Sequence, residues 1–75
     1  MLQIYNNFIN KDLVHTLSPG VYFSGGAYLP LIYVKFRNEP DRAEFRSPDT
    51  YEGVSCAVAM QMAVDDIIRA IENPL

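Results

Sequence analysis

The stretch LIYVKFRNEPDRAEFR, residues 31–46, decides the fold. Apolar and polar residues alternate on both sides of Asn38–Asp41, which has the composition of a turn, so the stretch predicts a β-hairpin. The turn predicts three cross-strand pairs: Arg37 with Arg42, Lys35 with Glu44 and Tyr33 with Arg46. Side chains of a strand alternate between its two faces, so the apolar members share the predicted core face: Ile32, Val34, Phe36, Ala43 and Phe45.

A second hairpin is predicted directly upstream. Gly25-Gly26 suits a type I′ turn, which needs a positive φ at both central positions, and it pairs Phe23 with Tyr28 and Val21 with Pro30. Pro30 lacks an N–H and predicts a bulge or an edge position. Further upstream, three shorter features are predicted: a strand over residues 2–6, a helical turn capped by Asp12, and a turn at Ser18-Pro19-Gly20.

The C-terminal part predicts one long helix. Asp49 and Glu52 have the spacing of a capping box, and Asn73-Pro74 ends the helix after Glu72, which gives a length of about 33 Å. Apolar residues recur at helical spacing and predict the side that packs on the sheet: Ala57, Met60, Val64, Ile67 and Ile71. Asp65 and Arg69 predict an ion pair on the opposite side. The fold class is therefore α+β: a three- or four-stranded antiparallel sheet with one long C-terminal helix on one face, in a single domain over residues 1–75.

Composition limits the classes of function. The chain has 75 residues, a net charge of −3, one cysteine and one histidine. A lone cysteine excludes an internal disulfide, and a lone histidine without a Cys/His cluster predicts no metal site and no cofactor. The N-terminus resembles no secretory signal and no apolar run is long enough to span a membrane, which predicts a cytoplasmic protein. A domain this small has a marginal core, which favours a partner chain.

Four of the 6 basic residues fall on the face opposite the predicted core, beside one tyrosine. They predict a partner-binding site: Tyr33, Lys35, Arg37, Arg42 and Arg46. Such a face suits a host protein with an acidic surface, a nucleotide or a nucleic acid. The alternative is a solvated hairpin tip whose charges keep a sheet edge soluble.

The other end of that face is apolar, and a bare apolar patch would be a liability. We expect it to be covered by residues 7–17 or by a second chain. With a methionine of the helix, it predicts a homodimer interface: Tyr22, Leu29, Leu31 and Met62.

No catalytic residues are predicted. His15 has no nucleophile or orienting group assigned to it, and Cys56 is expected to be a small buried core residue. Residues 20–26 are rich in glycine but lack the Gly-Lys-Ser/Thr ending of a P-loop. The chain is therefore expected to act by binding and not as an enzyme.

In size, acidic charge and order of elements, the whole chain resembles the small accessory proteins of bacteriophages, anti-CRISPR proteins among them. That resemblance implies a binding protein that inhibits or modulates a host protein, such as a component of a defence system. From Tyr28 to Ile71, strands followed by a capped, alanine-rich helix are also similar to HicB-type antitoxins.

Overall fold

The computed structural model describes residues 1–49 and 53–74. Its elements, in chain order, are β1 (Leu2–Ile4), β2 (Asn7–Ile9), a 3₁₀ turn (Lys11–Leu13), β3 (Val14–Ser24), β4 (Ala27–Phe36), β5 (Arg42–Arg46) and α1 (Cys56–Glu72). The strands β3, β4 and β5 form an antiparallel sheet with β4 in the centre, and β1 pairs with β2 in a separate hairpin. The α+β class, with one helix packed on the sheet, is confirmed.

The β3–β4 hairpin has the predicted turn and register. Gly25 and Gly26 both have positive φ, at 59° and 82°, and Phe23 pairs with Tyr28. The pairing runs through Pro30 without a break, and the irregularity of this ladder lies between Val14 and Thr16. Pro30 therefore marks neither the predicted bulge nor the predicted edge position, because β4 is the central strand. The Pro30 carbonyl accepts a hydrogen bond from the amide of Ser47, the residue that follows β5. The N–H and C=O of one strand residue point to the same side, so the N–H that Pro30 lacks would also face Ser47, beyond the last pair of the β4–β5 ladder.

The turn predicted at Ser18-Pro19-Gly20 is also wrong, because these residues lie in the middle of β3. β3 is an edge strand, where a proline does not interrupt a ladder on both sides. Pro19 pairs with Ile32, and Gly20 pairs with Leu31. Gly20 serves a close side-chain approach, described below, and not a reversal of the chain.

The β4–β5 register differs from the prediction by two residues. Its observed pairs include Lys35 with Arg42, Tyr33 with Glu44 and Leu31 with Arg46. The connecting loop is longer than predicted and covers residues 37–41. Arg37 does not pair with β5, and its amide donates instead to the carbonyl of Leu13 on the β3 side. A slip of two residues keeps every side chain on its face, so the predicted core face is retained.

The N-terminal hairpin β1–β2 was not anticipated beyond its first strand. Tyr5 and Asn6 make a two-residue turn in which Tyr5 has a φ of 54°. Ile4 and Ile9 of this hairpin are buried with Ile32 and Val34 of β4 in the main core cluster. Asn10, and not Asp12, caps the 3₁₀ turn, because its side chain accepts the Asp12 amide at 3.0 Å.

The helix α1 starts later than predicted. Ser55 is the N-cap residue and accepts the Val58 amide at 3.2 Å, so α1 has 17 residues and is about 25 Å long. The capping box predicted from Asp49 and Glu52 falls partly outside the described residues, since Glu52 is not among them. The predicted end is confirmed, because α1 closes at Glu72 with Asn73 as its C-cap.

The helix is rotated relative to the prediction. The residues that α1 buries are the alanines Ala59, Ala63 and Ala70. Of the residues predicted to pack on the sheet, Val64 and Ile67 are half-buried. The other three, Ala57, Met60 and Ile71, are exposed, and Ile71 has 56% of its surface accessible. The helix carries two apolar stripes, and small side chains bring it close to a sheet whose own side chains are large, such as Ile32 and Val34.

The rotation of α1 is tested by two matched substitutions. Ala59 is fully buried, at 0% exposure, so Ala59→Leu overpacks the interface and should lower the free energy of unfolding by about 1–3 kcal/mol. Ala57→Leu adds the same atoms on the exposed side and should change it by less than about 0.5 kcal/mol, because leucine and alanine are both good helix formers. Urea unfolding at a protein concentration too low for self-association measures both, and the reverse order would contradict this orientation of α1.

Candidate functional site

The sheet face turned away from α1, here called the outer face, is built in layers. The lower layer consists of Leu29 and Leu31 of β4, and Leu31 is only 1% exposed. Helix α1 lies on the opposite side of β4, with Ile32 and Val34. The outer face must therefore supply its own cover for these two leucines.

Gly20 makes room for the ring of Tyr33. A Cβ atom at Gly20 would lie 2.6 Å from Cε2 of Tyr33 and 2.7 Å from Cδ1 of Leu31. Real Cβ atoms do not approach carbon atoms so closely, so the ring of Tyr33 rests directly on the β3 backbone at Gly20. The absence of a side chain at position 20 thus sets the orientation of Tyr33.

Tyr22 provides the second part of the cover. Tyr22 belongs to β3, and its hydroxyl donates a hydrogen bond of 3.2 Å to the carbonyl of Ser47, the residue that follows β5. Since β4 lies between β3 and β5, the Tyr22 side chain crosses β4. This crossing explains why Leu29, which pairs with Tyr22, is buried.

Two arginines of β5 form the outermost layer. The Arg42 guanidinium carbon lies 3.7 Å from the ring centroid of Tyr33, and that of Arg46 lies 4.8 Å from the centroid of Tyr22. Arg46 also forms an ion pair with Glu44 at 3.4 Å, while its side chain stays 60% exposed. We call this set, Tyr22, Tyr33, Arg42 and Arg46, the arginine–tyrosine face.

The remaining predicted partner-binding residues have different positions. The Lys35 ammonium group donates to the carbonyls of Glu39 and Pro40, so it stabilises the β4–β5 loop. Arg37 lies in that loop, beyond the end of β4, where strand alternation does not fix its face. The structure therefore brings Arg42 and Arg46 together with Tyr33, and places Lys35 and Arg37 at the loop beside them.

The residues predicted as a dimer interface are not a bare patch. Leu29 and Leu31 are buried inside the chain, and Tyr22 and Met62 are half-buried. The cover comes from side chains of the sheet itself, whereas the sequence predicts cover from residues 7–17 or from a second chain. Leu29 and Leu31 therefore offer no accessible surface to a second chain.

Two further expectations can be compared with the structure. Cys56 is exposed at the first position of α1, so the expectation of a buried core residue is wrong. His15 is exposed on β3. In residues 1–49 and 53–74, no three His, Cys, Asp or Glu side chains are close enough together to hold a metal ion. Within the same residues, no helix has the length and apolar character needed to cross a bilayer.

The arginine–tyrosine face is suited to recognising carboxylates or phosphates. A guanidinium that lies over a ring can still donate its N–H groups in the fork geometry that matches such anions, and in Arg46 one nitrogen is already paired with Glu44. Stacking holds each arginine in one orientation, which reduces the side-chain entropy lost on binding.

Sequence reasoning missed two contributors to this site. Gly20 was assigned to a turn, and Tyr22 was assigned to a dimer interface. A glycine within a strand often marks a close approach of another group, and this was the available signal for Gly20. The reach of Tyr22 across β4 to Ser47 has no signal in the sequence, because it depends on where β5 ends.

Comparison with known proteins gives no match of any kind: no protein family, no curated protein and no solved structure is significantly similar to this chain. The functional argument therefore depends on the chain's own geometry.

The layered outer face is tested by Gly20→Ala. The added Cβ would displace the Tyr33 ring and the Leu31 side chain, so the free energy of unfolding should fall by about 1–3 kcal/mol. Ser24→Ala, an exposed change on the same strand, is the control and should alter it by less than about 0.5 kcal/mol. Urea unfolding that gives Gly20→Ala the stability of the control would contradict the position of the Tyr33 ring.

Proposed function

We propose that this chain is a non-enzymatic binding protein that docks its arginine–tyrosine face onto an acidic surface of another protein. The proposal is carried by one observation, the stacking of Arg42 on Tyr33 and of Arg46 on Tyr22. Both arginines are exposed, the two tyrosines beneath them are half-buried, and the leucines below the tyrosines are buried. Arginine and tyrosine are also the residue types enriched where interfaces gain most of their binding energy.

Charge distribution supports an acidic partner surface. The chain as a whole carries −3, so it has no general attraction for polyanions. The outer face has the opposite sign locally, because Lys35, Arg42 and Arg46 outnumber Glu44 there. A local patch of this kind selects a local acidic patch on a partner and orients the encounter.

The biological role that we propose is the one implied by the resemblance to phage accessory proteins. Such a protein would inhibit or modulate a host protein in the cytoplasm, for example a component of a defence system. A chain of 75 residues that acts by occupying a surface needs one preorganised face, and the arginine–tyrosine face meets that need. A HicB-like antitoxin would be a binding protein of the same general kind.

Binding of a nucleotide or nucleic acid by the same face is the less favoured alternative. Single-stranded nucleic acids usually stack their bases on exposed aromatic rings. Here the guanidinium of Arg42 lies over the ring of Tyr33 and that of Arg46 over the ring of Tyr22, so an arginine stands where a base would stack on each ring. The face then favours phosphate contacts, and such binding falls steeply with salt concentration.

The proposal predicts a charge-specific loss of partner capture. Arg42→Glu reverses a charge on the proposed face, whereas Lys11→Glu makes the same change of charge in the exposed 3₁₀ turn. Each variant, and the unaltered chain, is immobilised and exposed to nuclease-treated extract of the native host, and retained proteins are quantified by mass spectrometry. We expect a protein with an acidic surface to be retained by the unaltered chain and by Lys11→Glu, and to be reduced at least tenfold with Arg42→Glu.

A partner retained equally by all three chains would reject the arginine–tyrosine face. A complex that forms only in a parallel extract not treated with nuclease, with a steep dependence on salt, would instead support the nucleic-acid alternative. Urea unfolding of Arg42→Glu separates loss of binding from loss of folding.

Self-association is a second proposal, and an exposed apolar stripe on α1 favours it. Met60, Ile68 and Ile71 are exposed along one side of the helix, with Ala57 and Val64 between them. In an antiparallel pair of helices with a two-fold axis at Val64, Met60 lies opposite Ile68 and Ala57 lies opposite Ile71. This pattern is complementary to itself, as a two-fold interface requires.

The self-association proposal predicts a monomer–dimer equilibrium in sedimentation velocity, with the dimer fraction rising with concentration. Ile68→Asp places a charge in the stripe and should shift the protein to monomer. Val58→Asp is the control, because Val58 is equally apolar and exposed but lies on another side of α1. A monomer at every concentration of the unaltered chain would exclude this proposal and leave the arginine–tyrosine face unaffected.

A further inference from the structure

A second candidate site lies on the other side of the sheet, between the N-terminal hairpin and the end of α1. It is a cavity of about 330 Å³. Ile32 and Ala70 contribute an apolar floor, and Tyr5, Asp66 and Arg69 contribute polar groups. A few convergent polar groups around an apolar base are typical of a small-molecule site, and this volume is within the usual range for one.

Tyr5 is held at the cavity by two features. Its φ of 54° lies in the left-handed region, which favours glycine and is unfavourable for a tyrosine. Its hydroxyl donates a hydrogen bond of 3.0 Å to Oδ2 of Asp66, a residue 61 positions away in the sequence. A strained backbone that positions a side chain at a cavity is a common property of binding sites.

Asp66 and Arg69 place opposite charges side by side. An Arg69 guanidinium nitrogen lies 3.4 Å from Oδ1 of Asp66, and the two side chains are 69% and 19% exposed. This ion pair replaces the predicted pair of Asp65 with Arg69, because Asp65 accepts from Gln61. Each carboxylate oxygen has more than one acceptor position and the guanidinium has five N–H donors, so both groups retain capacity for a ligand.

The adjacent charges select the class of ligand. A purely anionic molecule would be repelled by Asp66, and a purely cationic one by Arg69. A molecule that carries both charges on the order of 3 Å apart matches the pair, and an α-amino acid has this arrangement.

We infer that this cavity binds a free α-amino acid, with its carboxylate on Arg69, its ammonium group on Asp66 and an apolar side chain over Ile32 and Ala70. The site is separate from the arginine–tyrosine face, because Ile32 points to the opposite side of the sheet from Tyr33. The inference therefore stands or falls independently of the proposed partner binding.

The test is a titration of the full chain with each common amino acid at millimolar concentration, followed by ¹H–¹⁵N NMR. We expect saturable shifts at Tyr5, Asp66 and Asn73 with at least one apolar amino acid. Its amide and N-acetyl derivatives each lack one charge and should bind at least tenfold more weakly. Saturable shifts with no amino acid, or equal affinity for either derivative, would overturn the inference.

Matched variants test the assigned contacts. Arg69→Gln should weaken binding of that amino acid about tenfold or more, and Asp66→Asn, which keeps the shape of the side chain, should weaken it similarly. Lys11→Gln removes a cation away from the cavity and should leave affinity unchanged. Because Arg69 is largely exposed, its variant should retain a folded NMR spectrum. Unchanged affinity in a folded Arg69→Gln would also overturn the inference.

Discussion

The central strand β4 must be covered on both faces, and residues 1–49 and 53–74 contain one α-helix to do so. Helix α1 and the β1–β2 hairpin cover one face, where Ile32 and Val34 are buried. The other face has no helix, so Tyr22 and Tyr33 cover Leu31 and its neighbour Leu29. The arginines are the third layer of this arrangement, and their fixed orientation is a consequence of the need to cover β4.

The magnitudes show which interaction holds the outer face together. Burial of a leucine side chain contributes about 1.5–3 kcal/mol, whereas an exposed cation–π contact contributes about 0.5–1 kcal/mol. Leu29 and Leu31 therefore account for most of the stability of this face, and the arginines add little. Because the arginines contribute little to stability, their charges can be changed without unfolding the protein, and a role in binding can be separated from a role in folding.

Local patterns of sequence predicted the parts of the fold that depend on local chemistry. The Gly25-Gly26 turn fixed its hairpin, and strand alternation put Ile32 and Tyr33 on opposite faces even though the β4–β5 register slipped by two residues. The errors arose where tertiary contacts decide. Gly20 makes room for a ring and does not form a turn. Helix α1 packs its alanines on the sheet, and the stripe of larger apolar side chains faces outward, because small side chains allow the helix to approach the sheet closely.

The candidate sites also combine features that local sequence predicts with features that only tertiary contacts determine. Strand alternation alone predicts that Arg42, Arg46 and Tyr33 share one face of the sheet, while the position of Tyr22 depends on a hydrogen bond across 25 residues. The Tyr5–Asp66 contact spans 61 residues and joins a turn to a helix, which no local pattern indicates.

The position of the Tyr33 ring over Gly20 is the most direct test of this account. In a ¹³C-edited NOESY spectrum of the full chain, we predict strong cross-peaks from the Tyr33 ring protons to the α protons of Gly20 and to the δ protons of Arg42. Absence of the Gly20 cross-peaks, with Tyr33 ring protons that contact only solvent-exposed groups of β5, would contradict the layered outer face and the arrangement of arginines that depends on it.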